Sequence, residues 1–202
     1  MNRNLISRVI LPAAVLGFAT LSSLQAQSAP PAGGPPEEAP PTAGELAAYL
    51  AKLDAVPGYG GIAFGGEIAK SKDSLVLEQD RGPLKIYKKK GETLLLGPAL
   101  LETVLYYFYE GKLYGVAFHT NDGQDSVNLK SILHSAFGPG VNSAEGGPST
   151  IWLGKKVGAL FELNTSTGDA SAFLFDQAAH DAYLKYESDA GQKAAELLLK
   201  GK

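Results

Sequence analysis

The stretch from Thr103 to Thr120, TVLYYFYEGKLYGVAFHT, limits the possible folds of this chain more than any other. It reads as two strands dense in aromatic and β-branched residues, joined at Glu110-Gly111, which is how a hairpin is punctuated. A two-residue turn sets Tyr109 opposite Lys112, Phe108 opposite Leu113, Tyr107 opposite Tyr114 and Tyr106 opposite Gly115. One face then carries Val104, Tyr106, Phe108, Leu113 and Ala117, with Gly115 leaving room for the Tyr106 ring. The other carries Leu105, Tyr107, Tyr109, Tyr114, Val116 and Phe118. A half-exposed antiparallel pair alternates apolar and polar residues. This pair is apolar on both faces, so either both are covered or one offers a tyrosine-rich surface to a ligand. Covering is the favoured arrangement, although tyrosine tolerates partial wetting through its polar tip. If a face is open, Tyr107, Tyr109 and Tyr114 are the candidate binding residues, joined by Trp152 from a later strand.

The segments around the hairpin supply a sheet and its helices. Thr42 and Glu45 form a T-x-x-E capping box. Leu46, Tyr49, Leu50 and Leu53 follow at helical spacing, and Pro57-Gly58 is the stop. Leu75 to Leu77 suits a short strand or loop anchor, Gly82-Pro83 a turn, and Lys88-Lys89-Lys90 a solvated hairpin tip. A second helix is expected from about Asp125, with Leu129, Ile132, Leu133 and Ala136 as its stripe and Gly138-Pro139-Gly140 as its end. Strands return at 150–153, 158–164 and 170–176, and a last helix runs from about Gln177 to Leu199 with Gly191 as its weak point. The order predicts an α+β fold: an antiparallel sheet with helices on one face, with two strand-hairpin-helix repeats (about 84–137 and 149–199) as a candidate organisation.

The N-terminus points outward from the cytoplasm. Arg3 and Arg8 precede the apolar run Ile10 to Leu21, and Ser22 to Ala26 ends in a small residue, the layout of a cleavable signal peptide over residues 1–26. The run is short for a membrane span, which takes roughly 20 residues. Residues 27–41 are rich in Pro, Ala and Gly and contain no large apolar side chain, so a disordered linker is expected there. Residues 42–202 then form a single α+β domain, periplasmic or secreted, with the membrane met only through the signal peptide. The chain has no cysteine, which removes disulfides, thiol nucleophiles and the lipidated cysteine of a lipoprotein. That absence leans towards a bacterial periplasm.

Chemistry is hard to find. Gly58, Gly60 and Ala63 match a dinucleotide fingerprint in letters, but a helix precedes them where the mechanism needs a strand. A glycine-rich strand closely approached by a neighbouring element fits better. His119, His134 and His180 lack metal-ligand spacing. Asn121, Asp122 and Asp125 contain part of a calcium loop without its remaining ligands, and helix capping accounts for them. Glu102 faces His119 in the two-residue-turn register, so Glu102, His119 and Asp122 are the one candidate acid–base group. A net charge of −3 gives no basic footprint for nucleic acid. Neither a cofactor nor a metal is expected.

Several phrases resemble a group of small exported bacterial proteins of unassigned activity. They are GYGGIAFG at 58–65, Ile86-Tyr87, Leu95-Leu96-Gly97, Gly111-Lys112-Leu113-Tyr114-Gly115-Val116 and Trp152-Leu153-Gly154. The aromatic Phe64 stands where the group's phrase has tryptophan, and the leucine phrase is one residue shorter. The resemblance implies an exported α+β domain with a Gly-rich strand and a tyrosine-rich GKLY hairpin, and implies no catalytic residue. The expectation is an exported noncatalytic binding or interaction module for a protein or small ligand. An envelope structural protein, or an enzyme built on the acid–base group, is the alternative.

Overall fold

The computed structural model describes residues 41–142 and 149–200. The expected signal peptide, all of the expected linker but Pro41, residues 143–148 and residues 201–202 lie outside the described residues.

Helix α1 (Ala43–Asp54) starts at the capping box, where the Thr42 side chain accepts from the Glu45 N–H and the Glu45 carboxylate accepts from the Thr42 N–H at 2.8 Å. It ends at Ala55, two residues before Pro57. The glycine-rich segment that follows folds as a minimal hairpin, β1 (Gly58–Tyr59) against β2 (Ile62–Ala63), turning at Gly60-Gly61. Both turn glycines have positive φ, and a Cβ on Gly60 would lie 2.1 Å from the Tyr106 hydroxyl. Tyr106 is therefore the element that closely approaches this loop.

The body of the fold is one eight-stranded antiparallel sheet. Its first half is β3 (Leu75–Arg81), β4 (Leu84–Lys89), β7 (Thr103–Tyr109) and β8 (Lys112–His119). A small hairpin of β5 (Leu95–Leu96) and β6 (Ala99–Leu100) interrupts this series and stands apart from the sheet. Its second half is β9 (Val141–Asn142), β10 (Ser149–Leu153), β11 (Val157–Leu163) and β12 (Ala170–Asp176). The spatial order is β3-β4-β7-β8-β12-β11-β10-β9. Two meanders are thus joined through their last strands, and each is followed by a helix: α2 (Gly123–Phe137) after β8 and α3 (Gln177–Leu199) after β12. Asp122 and Asp176 cap these helices by accepting the N–H of Asp125 and Ala179.

Strand alternation assigns the faces. Val104, Tyr106, Phe108, Leu113, Val116 and Phe118 share a core with Leu53 of α1 and with Leu129 and Leu133 of α2. Ala159, Phe161, Ala172 and Leu174 extend that core across the second meander. The expectation of helices on one face describes α1 and α2. The first turns of α3 pack on the other face, where Tyr183 lies against Tyr114. Because α2 and α3 fall on opposite faces, the two meander-helix units are not related by one rotation.

The hairpin register holds at Tyr109–Lys112 and Phe108–Leu113 and then shifts by one, so that Tyr107 pairs with Gly115 and Tyr106 with Val116. Tyr114 is the extra residue of a β-bulge. The cause is a change of neighbour. Leu113 exchanges backbone bonds with Gly65 and Gly66, at 2.8 and 2.9 Å, while residues 115–119 pair with β12. Val116 and Phe118 therefore turn to the α2 face, and Ala117 to the α3 face. The lysine run is not a hairpin tip either: Lys88 and Lys89 end β4, and Lys89 Nζ donates to the Gly60 carbonyl at 2.6 Å.

Asp54 ties the end of α1 to the β10–β11 turn. Its carboxylate accepts the backbone N–H groups of Lys155, Lys156 and Val157 at 2.9, 2.7 and 3.1 Å. Burial works to raise its pKa, but the three donors and the Lys156 charge outweigh this and hold it below the ordinary range. A carboxyl depressed in the folded state stabilises above its unfolded value of about 3.9, and that contribution is lost as pH falls through the folded value. Asp54→Asn is expected to flatten the stability profile below about pH 4. Urea midpoints for both proteins, from about pH 2.5 to about pH 7, check this; parallel profiles contradict it.

Candidate functional site

The tyrosine face of the hairpin is covered. Tyr107 and Tyr114 are 1% and 0% exposed. The Tyr107 ring meets Tyr114 edge-on at 6.2 Å and Phe173 at 5.2 Å. From above, α3 lays Tyr183 on Tyr114 at 5.6 Å and stacks His180 near it at 6.2 Å. Burial pushes the Tyr107 phenol up to about 12 and the Tyr114 phenol higher still.

The four candidate binding residues do not share one surface. Trp152 sits on the opposite, α2 face, 3% exposed, with its indole N–H donating to the Gly138 carbonyl at 2.7 Å and its ring edge-on to His134 at 5.6 Å. Tyr107, Tyr114 and Trp152 are packing residues in two separate layers and present no surface to a ligand. Only Tyr109 reaches the rim, half-buried between Tyr183 at 5.6 Å and Tyr186 at 6.2 Å. The two-faced apolar pattern has α3 as its explanation on this side.

The acid–base group does not assemble. The bulge moves Thr103, not Glu102, opposite His119. The Glu102 backbone N–H donates to the His119 carbonyl at 2.7 Å, and no hydrogen bond joins the two side chains. Burial lowers the His119 pKa against the opposing charge of Asp169, and its Nε2 is enclosed without a partner. Asp122 is occupied with its helix cap. Among the described residues, no cluster of three or more His, Asp or Glu side chains could hold a metal ion.

Beneath the glycine-rich hairpin lies a polar cluster that sequence reasoning missed. The Tyr106 hydroxyl donates to the Glu92 carboxylate, and Tyr59 stands edge-on to Phe118 at 4.8 Å beside it. Burial and the Glu92 charge raise the phenol of Tyr59. Lys89, donating to the Gly60 carbonyl at 2.6 Å, ties the β1–β2 hairpin to the end of β4 beside this cluster.

Exposed apolar residues occur on the β5–β6 hairpin (Leu95, Leu100), on the edge strand β3 (Val76, Leu77) and, as the longest run among the described residues, on the far part of α3. After Leu184, every residue from Lys185 to Leu199 is exposed. The stripe that begins with the docked Tyr183 nevertheless continues through Tyr186, Ala190, Ala194 and Leu197, with Leu198 on its flank. Tyr186, Leu197 and Leu198 are 41%, 50% and 78% exposed. The opposite side carries Lys185, Asp189, Gln192 and Glu196. A helical stretch of this length is marginal alone in water, and packing of an amphipathic face is what ordinarily stabilises one. The repeat at three and four residues was the available signal in the sequence.

Among the described residues, no helix is long and apolar enough to cross a membrane. No family model matches the chain, and no curated protein or solved structure matches it.

Proposed function

We propose that this chain is an exported, noncatalytic interaction module that meets a protein partner through the outer half of α3. One observation carries the reading: an amphipathic helix docks its first turns on the sheet and then extends fifteen residues, 185–199, with its apolar stripe uncovered among the described residues. The closed tyrosine layer and the unassembled acid–base group favour binding over catalysis. The tyrosine layer becomes the anchor of the contact helix, and Tyr109 with Tyr186 forms the rim where anchor and contact surface meet.

A photo-cross-linking side chain at Ala194 or Leu198, in the cells that make the protein, is expected to give discrete protein adducts. The same group at Val76, on the edge strand β3, is expected to give few. An empty stripe, or equal labelling at Val76, overturns the reading.

A further inference from the structure

We propose that Asn164 is a glycosylation site, whose side-chain nitrogen receives an oligosaccharide once the chain has been exported; this rests on the export reading above and not on the α3 contact. Asn164-Thr165-Ser166 is an N-x-S triplet without proline at its centre, and no other asparagine of the chain has Ser or Thr two positions on. The triplet is the acceptor pattern for N-linked sugar, and it carries weight where it lies on a surface turn. Here it opens the turn from β11 to β12, with Asn164 half-buried and Thr165, Ser166 and Thr167 exposed. Bacterial transferases of this class also read an acidic residue two positions upstream, and Glu162 stands there. The base of the turn is pinned. The Asn164 N–H donates to the Asp169 carbonyl and the Gly168 N–H to the Asn164 carbonyl, both at 2.8 Å. From α2, the Ser126 hydroxyl donates to the Gly168 carbonyl at 2.7 Å. The exposed tip is thereby held in one shape.

The Asn164 side chain is already set for the transfer. Its Oδ1 accepts the Ser166 backbone N–H at 3.1 Å, which closes an Asx turn. That bond fixes the plane of the carboxamide, brings Asn164 and Ser166 together and makes the Nδ2 protons more acidic. Among the described residues, Nδ2 and the Ser166 hydroxyl enter no hydrogen bond, so the turn uses the oxygen of Asn164 and not its nitrogen. In the transfer, Nδ2 attacks the anomeric carbon of a sugar carried on a lipid pyrophosphate. A C–N bond forms and the C–O bond to the pyrophosphate breaks. The lipid pyrophosphate leaves with the electron pair, and the Nδ2 proton passes to a base of the transferase. The turn precedes β12 and α3 follows it, so the sugar and the contact helix start from opposite ends of that strand.

The test is peptide mass spectrometry on the full chain purified from the cells that make it. Trypsin cuts after Lys156 and Lys185, so residues 157–185 form one peptide with Asn164 as its single asparagine. That peptide is expected to carry a glycan, with fragment ions that place the sugar on Asn164. Asn164→Asp keeps an oxygen to accept the Ser166 N–H and has no nitrogen to modify. Ser166→Ala removes only the hydroxyl of the acceptor pattern. Both variants are expected to fold as the parent does and to lose the glycan. An exported parent chain with a bare peptide overturns the proposal and leaves the export reading standing. A glycan that survives either variant also overturns it, because the sugar is then not attached through this acceptor. A bare chain that keeps Met1 and stays in the cytoplasm removes the export reading and the proposal together.

Discussion

Replacing Tyr107 and Tyr114 by serine is expected to leave no cooperatively folded domain. Each ring is enclosed between the sheet and α3, touching the other and Phe173. Truncating a buried aromatic costs about 3–5 kcal/mol, against a total stability of about 5–15 kcal/mol for a domain. The rings touch, so their costs will not simply add, but together they take most of the margin. Urea unfolding should show each single variant with a sharply lowered midpoint and the double variant with no native baseline. Tyr109→Ser, at the half-exposed rim, should cost about 1 kcal/mol. Tyr114→Phe should be at least as stable as the parent, because the Tyr114 hydroxyl is buried with no partner and an unsatisfied buried hydroxyl costs about 1–3 kcal/mol. A double serine variant with an unshifted midpoint would show that this layer is not part of the core.

Gly115→Ala tests the same layer from the opposite direction, by overfilling it. Gly115 is not among the residues with positive φ, so its backbone conformation admits alanine. The obstacle is packing: a Cβ there would lie 2.2 Å from the Phe173 ring. That ring stacks on Phe175 at 5.5 Å and is edge-on to Tyr107 and Tyr114 at 5.2 and 5.8 Å, so it has no free direction in which to turn. Overpacking of this kind costs about 1–3 kcal/mol. In a Phe173→Leu background the added methyl group should cost far less, which a double-mutant cycle on urea midpoints measures. The same cost in both backgrounds would contradict the contact.

Gly115 also shows where sequence reasoning stopped. The hairpin, its turn at Glu110-Gly111 and its first two pairs follow from residue types, as do the Thr42–Glu45 box and the end of α2 at Gly138. The bulge at Tyr114 does not. With apolar residues on both faces, a slip of one residue exchanges one apolar set for another, and alternation cannot reveal it. The slip also dissolved the Glu102–His119 pair, whose register depended on an unbroken ladder. The side on which α3 packs was illegible for a related reason: a sheet that is apolar on both faces accepts a helix on either. Glu92 reaches Tyr106 fourteen residues away, and no local pattern marks such a pair. By contrast, the uncovered stripe of α3 was written in plain periodicity, and what the sequence lacks is any sign of where the sheet beneath the helix ends.

The tyrosine-rich hairpin is interior, and the outer half of α3 is exposed. Tyrosine nitration of the folded protein, mapped residue by residue by mass spectrometry, tests it most directly. Tyr186 is expected to be modified rapidly and Tyr109 more slowly, with Tyr107 and Tyr114 left intact until the fold is lost. Tyr107 and Tyr114 modified in the folded protein as fast as Tyr186 would contradict it.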